Sequence, residues 1–99
     1  MQTQTLSLIS EIDAHMQASG LPNKDWYVGI TSNVQERLFG NHRVQRQNHW
    51  WIHRRCLNAT EARALEAAYH RAGCKGAGGG GDGTCVYIYA YVITLNTVE

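Results

Sequence analysis

The segment "CVYIYAYVITL", residues 85–95, constrains the fold of this 99-residue chain more than any other. Its alternation sets Tyr87, Tyr89 and Tyr91 on one side, and Val86, Ile88, Ala90 and Val92 on the other. Successive side chains of a strand point to opposite faces of its sheet. Large residues on both faces put this strand at the centre of a sheet, covered on both sides. Ninety-nine residues match one domain with one modest core, so residues 1–99 are read as a single unit.

The other elements must supply that cover. "TLSLISEIDAHMQA", residues 5–18, sets Leu8, Ile9, Ile12 and Met16 on one helical face, and Gly20 and Pro22 end it. This is a packing helix within residues 1–20. "KDWYVGIT", residues 24–31, is aromatic and β-branched and reads as a strand. Asn33 followed by Glu36 is a capping-box pattern that opens a helix over 34–42, with Gly40 weakening its last turn. "HWWIHRR", residues 49–55, reads as a second strand. "NATEARALEAAYHRAG" carries the clearest helix: Asn58 caps it, Glu61 completes the box and Gly73 takes the left-handed C-cap. A glycine-rich loop over 74–84 leads to the final strand. Three strands flanked by helices make a small α+β domain.

Composition narrows the function classes. Hydrophobic residues are 43% and charged residues 17%, as in a soluble globular domain. No apolar run approaches the roughly 18 residues that span a bilayer, and the N-terminus lacks a secretory h-region. Cys56, Cys74 and Cys85 are an odd number and read as reduced thiols of a cytoplasmic protein. Net charge is only +1, but its distribution is uneven. No acid lies between Glu36 and Glu61, whereas all seven arginines lie between positions 37 and 71. A basic stretch with interleaved tryptophans suits a polyanion, with Arg43, Arg46, Trp50, Arg54 and Arg55 as expected nucleic-acid contacts. Trp50 and Trp51 must point to opposite faces of a strand, one to the core and the other available for stacking.

Four residues are candidates for chemistry: Tyr27 on the first strand, Arg37 and His42 on the following helix, and Glu66 within an alanine-rich helix. "YVGITSNVQERL" resembles the second half of the GIY-YIG nuclease signature, with Arg37 ten residues after Tyr27. "ATEARALEAAYH" looks like the later helix on which that family carries one glutamate, here Glu66. The resemblance covers about residues 26–72. It implies a three-stranded antiparallel sheet flanked by helices and Mg²⁺- or Mn²⁺-dependent hydrolysis of DNA. By resemblance Glu66 holds the metal, Arg37 the phosphate and Tyr27 the attacking water, with His42 in support. One carboxylate holding a mostly hydrated Mg²⁺, an arginine fork and a phenol suit phosphodiester hydrolysis. A non-catalytic module binding nucleic acid or protein on the same fold is the alternative.

The chain departs from that signature in three places. The family's first Gly-Ile-Tyr strand is missing ahead of Tyr27. The C-terminal strand "VYIYAYV" is expected in the vacant slot, with Tyr87, Tyr89 or Tyr91 in place of the absent tyrosine. The family's histidine follows the arginine by four residues, whereas His42 follows Arg37 by five, about 140° away on a regular helix unless Gly40 loosens the turn. The late asparagine has no clear counterpart; Asn96 is the nearest candidate. A domain this small would need dimerisation or a protein partner for specificity, and suits a phage or mobile element.

Two further motifs are weaker. His49, His53, Cys56, His70 and Cys74 include zinc-ligand types, but positions 49 and 53 of a strand lie about 13 Å apart. Gly76, Gly78 and Gly81 of "KGAGGGGDGT" match a dinucleotide fingerprint. That fingerprint needs a strand, then glycines, then a helix, and here the order is reversed. The run is a slack connection whose bare backbone would border the proposed cleft.

Overall fold

The last strand takes the centre. In a computed structural model describing residues 3–77 and 83–99, the sheet order is β1 (Trp26–Thr31), β3 (Tyr87–Val92), β2 (Trp51–Arg55). Both pairings of β3 are antiparallel. Tyr91 sits between Tyr27 and Trp51, Tyr89 between Gly29 and His53, and Tyr87 between Thr31 and Arg55. Register partners share a face, so these three rows form one side of the sheet. Val28, Ala90 and Ile52 form a row on the other.

Each face has its own core. Helices α1 (Thr3–Ser19) and α2 (Ala59–Arg71) cover the aliphatic face. There Leu8, Ile12, Met16, Ala62 and Leu65 pack with Trp26, Val28, Ile52 and Ile88. A short helix, Gln35–Asn41, covers part of the tyrosine face and buries Leu38 against Tyr27, Val44, Tyr89 and Tyr91. Emptying the fully buried Leu38 position to alanine costs about 2–5 kcal/mol by the usual penalty for a core cavity. No helix among the described residues is long and apolar enough to cross a membrane.

Local signals set the ends of α2. Asn58 Oδ1 accepts from the Glu61 N–H at 2.8 Å, as the capping pattern requires. The Glu61 carboxylate reaches back to the Leu57 N–H at 2.7 Å, one residue before the position a capping box specifies. Gly73, with φ 110, turns the chain, and the Cys74 N–H closes the end on the Tyr69 carbonyl. Lys75 then bridges in parallel to Tyr27, taking the Val28 N–H at 2.9 Å and donating to the Trp26 carbonyl at 2.8 Å. The free edge of β1 is thereby partly paired.

Four expectations change, two of them in that β2 begins at Trp51 rather than at residue 49 and β3 spans Tyr87–Val92 rather than residues 85–95. The first strand begins at Trp26, because Asn23–Asp25 closes a 3₁₀ turn through the Asp25 N–H and Pro22 carbonyl. The helix expected over 34–42 is a π-helix, Gln35–Asn41, rather than an α-helix. Positions 78–82, the centre of the glycine run, lie outside the described residues.

Candidate functional site at the β1 edge

The site grows from the two kinds of position on β1. Even-numbered residues direct their backbone groups to the strand's outer edge. There Val28 meets Lys75, and the Val28 carbonyl accepts from His70 Nε2–H at 2.8 Å. Ile30, two residues on, lines the same cleft as Glu66, and its N–H helps to hold the Glu66 pKa down. Glu66 thus leaves the alanine-rich surface of α2 and turns to the sheet edge, only 7% exposed. Burial raises its pKa, while His70, the Ile30 N–H and Arg63 act in the opposite direction.

Odd-numbered residues face the tyrosine side. A Cβ at Gly29 would lie 2.5 Å from Tyr89 Oη, so the absent side chain is what lets Tyr89 lie across β1. Tyr89 Oη accepts from Arg37 Nε–H at 3.4 Å and lies 2.8 Å from His42 Nε2. His42 is 2% exposed, and its Nδ1 is 2.6 Å from the Val98 carbonyl. A carbonyl can only accept, so Nδ1 carries a proton. Burial chiefly lowers the His42 pKa, against the Val98 bond that raises it, so the ring is neutral at pH 7 and Nε2 is bare. The Tyr89 hydroxyl therefore donates to Nε2. The hydrogen bonds run one way, from Arg37 to Tyr89 to His42 to Val98. Burial also pushes the Tyr89 phenol up to about 12, with the Arg37 bond opposing. The bond to Tyr89 in turn raises the Arg37 pKa.

The π-helix makes this convergence possible. The Arg37 N–H still bonds to the Asn33 carbonyl in an α-turn, but the His42 N–H reaches the Arg37 carbonyl, an i to i+5 bond at 3.0 Å. The wider turn brings two residues five apart to one phenol. Gly40 is not its steric cause, since a Cβ there would meet only the Gln35 carbonyl at 3.7 Å. Such windings occur often at functional sites.

A cleft of about 290 Å³ opens between these groups, lined by Tyr27, Thr31, Arg37, Glu66 and Tyr89 among others. Ala77 and Cys85, on either side of the glycine run, also line it. Of the four residues expected for chemistry, Tyr27, Arg37 and Glu66 meet here, and His42 stands behind Tyr89. Asn96 is in an exposed turn after β3, bonded through its N–H to Thr94. Among the described residues no three His, Cys, Asp or Glu side chains converge as metal ligands. A divalent cation in the cleft would rest on Glu66 and water, and a hard, largely hydrated ion such as Mg²⁺ fits that donor set. Cys56 and Cys74, candidates for zinc by residue type, are buried in the core, their thiols pushed up to about 11 by burial.

The expected nucleic-acid contacts divide between the two faces. Even-numbered positions of β2 face α1. Arg54 accordingly pairs with Glu11, Nε to Oε1 at 2.9 Å, and the Trp50 ring meets His15 edge-on at 5.3 Å. Both therefore lie on the α1 side of β2, where Trp50 and the Arg54 side chain stay exposed. Arg46 and Arg55 remain on the tyrosine side, over the rings of Phe39 and Tyr87. Arg43 is exposed and left-handed, with φ 58, at the end of the π-helix. The sequence did not single out Tyr89 from its two neighbours, and it raised His53 only as a zinc-ligand type. Gly29 was the available signal, because a glycine inside a strand marks a close approach by something else. No family model, curated protein or solved structure matches the chain.

Proposed function

We propose that the chain is a metal-dependent endonuclease that hydrolyses DNA phosphodiester bonds in the β1-edge cleft. One observation carries this reading: Tyr27, Arg37 and Glu66, far apart in sequence, share one cleft with Tyr89. The resemblance to GIY-YIG nucleases points the same way. In this reading β3 plays the part of the family's first strand, and Tyr89 that of the missing tyrosine.

Mg²⁺ or Mn²⁺ held by Glu66 would supply Lewis-acid polarisation of a phosphate oxygen. Arg37 binds the phosphate and stabilises its developing charge. The Tyr89 proton is committed to His42, so its oxygen can accept a proton from water that Tyr27 orients. Water passes a proton to Tyr89 Oη as the phenol passes its own to His42 Nε2. The water oxygen bonds to phosphorus while the bond to the leaving nucleoside oxygen breaks, and that oxygen takes a proton from solvent water. The Val98 carbonyl steadies the imidazolium through Nδ1–H.

A non-catalytic nucleic-acid- or protein-binding module is the second reading. It is favoured by the raised Tyr89 pKa, which makes the phenol a poor proton donor, and by the lowered His42 pKa, which makes the imidazole a weak acceptor. Plasmid nicking with and without Mg²⁺, for the native chain and Glu66→Ala, separates the two. The expected result is Mg²⁺-dependent nicking that falls by at least about a hundredfold in the variant, a loss typical of a key electrostatic group. Nicking that survives the substitution overturns the mechanism. Salt-sensitive DNA binding without nicking favours the module.

A further inference from the structure

We propose that the odd-numbered face of β2 is a base-stacking site for an unpaired nucleic-acid strand leading into the cleft. This deepens the nuclease reading by naming the form of its substrate, and it rests on that reading for the substrate's class.

The geometry begins at the register. His53 lies beside Tyr89 and Trp51 beside Tyr91, so this part of β2 continues the row that reaches the cleft. The Trp51 and His53 rings are parallel to within 2°, with centroids 5.7 Å apart. Phe39 braces Trp51 edge-on at 5.0 Å, and the Trp51 N–H is held by the Arg46 carbonyl at 3.1 Å. The platform is therefore prearranged, while Trp51 and His53 both keep part of their surface in solvent. Burial, then Arg54 and Arg46, lower the His53 pKa, so the ring offers an uncharged π-face at neutral pH.

Cations flank the rings. The Arg46 guanidinium lies 4.0 Å from the Phe39 centroid and that of Arg55 lies 5.8 Å from the Tyr87 centroid. Arg46 donates to the neutral side chain of Gln35. Among the described residues the ion pair seen is Arg54 with Glu11, on the opposite face. Two arginines with no carboxylate partner among the described residues, beside stacked rings, complement phosphates and bases together. A duplex hides its base faces in its own stack, so this arrangement selects bases that are unpaired.

The test is fluorescence anisotropy with a labelled thymidine dodecamer and a blunt duplex of equal length, in EDTA so that nothing is cut. The single strand should bind at least about tenfold more tightly, the scale of one stacked base. His53→Ala and Arg55→Ala should each weaken it by about tenfold, and His53→Ala should leave duplex binding unchanged. His53→Phe should retain affinity, because it keeps the ring, and Arg54→Ala should match the native chain. Equal affinity for both ligands, no effect of His53→Ala, or binding to neither ligand, as for a protein-docking face, would each overturn the proposal. Selective single-strand binding without Mg²⁺-dependent nicking would leave this site standing while the nuclease reading fails. Nicking with no single-strand preference would do the reverse.

Discussion

Gly29 and Glu66 exert their effects through single atoms. At Gly29 the missing Cβ makes room for the Tyr89 hydroxyl, which is in turn held by His42. Gly29→Ala should displace that hydroxyl and destabilise the fold by about 1–3 kcal/mol, the usual cost of overpacking. Gly83→Ala, with open space around its Cβ, should leave the urea midpoint unchanged. Equal midpoints for the two variants would show that Tyr89 yields freely. Glu66 has a raised pKa in the folded chain, so the unfolded chain releases its proton first as pH rises. Its contribution to stability is therefore full below the ordinary carboxylate range and is lost as pH rises through the folded pKa. Glu66→Gln should gain stability over the native chain across that window and hold the gain at neutral pH. A constant difference in urea midpoint from pH 4 to pH 8 would contradict this.

The Gln35–Asn41 element decides whether Arg37 and His42 act together. Its extra residue per turn has anchors at both sides: Leu38 is buried, and His42 is bonded to Tyr89 and Val98. Removing the exposed Asn41 should shorten the Arg37–His42 interval to four, an ordinary α-helical face pair. That deletion should retain the fold and the neutral, buried histidine, read by thermal unfolding and by the imidazole NMR resonances. Inserting an alanine after Asn41 should expose the histidine and lower the melting temperature. Collapse of the deletion variant with tolerance of the insertion would mean that local sequence, not the two anchors, dictates the π winding. Gly40→Ala should be neutral or stabilise by up to about 1 kcal/mol, since alanine is the better helix former and has room.

At the scale of the molecule, histidines shape the pH response. His15, His42 and His53 all have pKa values lowered chiefly by burial. Each binds a proton more readily in the unfolded chain. Their contribution is present above about pH 6.5, the ordinary imidazole value, and is lost as pH falls through the folded pKa values. Urea midpoints should therefore decline from pH 7.5 toward pH 5.5. Glu66 opposes the fall only as its own carboxyl begins to protonate. His42→Gln should be less stable at neutral pH but show a shallower decline. An unchanged slope would remove His42 from the account.

Much of the architecture was legible in residues close together along the chain. A strand with large side chains on both faces belongs in the middle, and β3 takes that place. Asn58 and Gly73 end their helix through bonds spanning only a few residues. The alternation of Tyr87, Tyr89 and Tyr91 likewise follows from strand geometry. Such signals are local, and tertiary packing does not have to choose among them. Register is different. It is a long-range choice, and it made Tyr89, rather than Tyr87 or Tyr91, the partner of Gly29. The same choice turned Arg54 and Trp50 toward α1 and left Trp51, His53 and Arg55 beside the tyrosines. The π winding, too, conflicts with the local expectation of an α-helix and goes with buried contacts to Val98, fifty-six residues away. Sequence alone determined which elements form and which faces they carry. Only tertiary structure decided which side chains on those faces meet, because meeting depends on strand register and shared burial rather than on any residue's own preference.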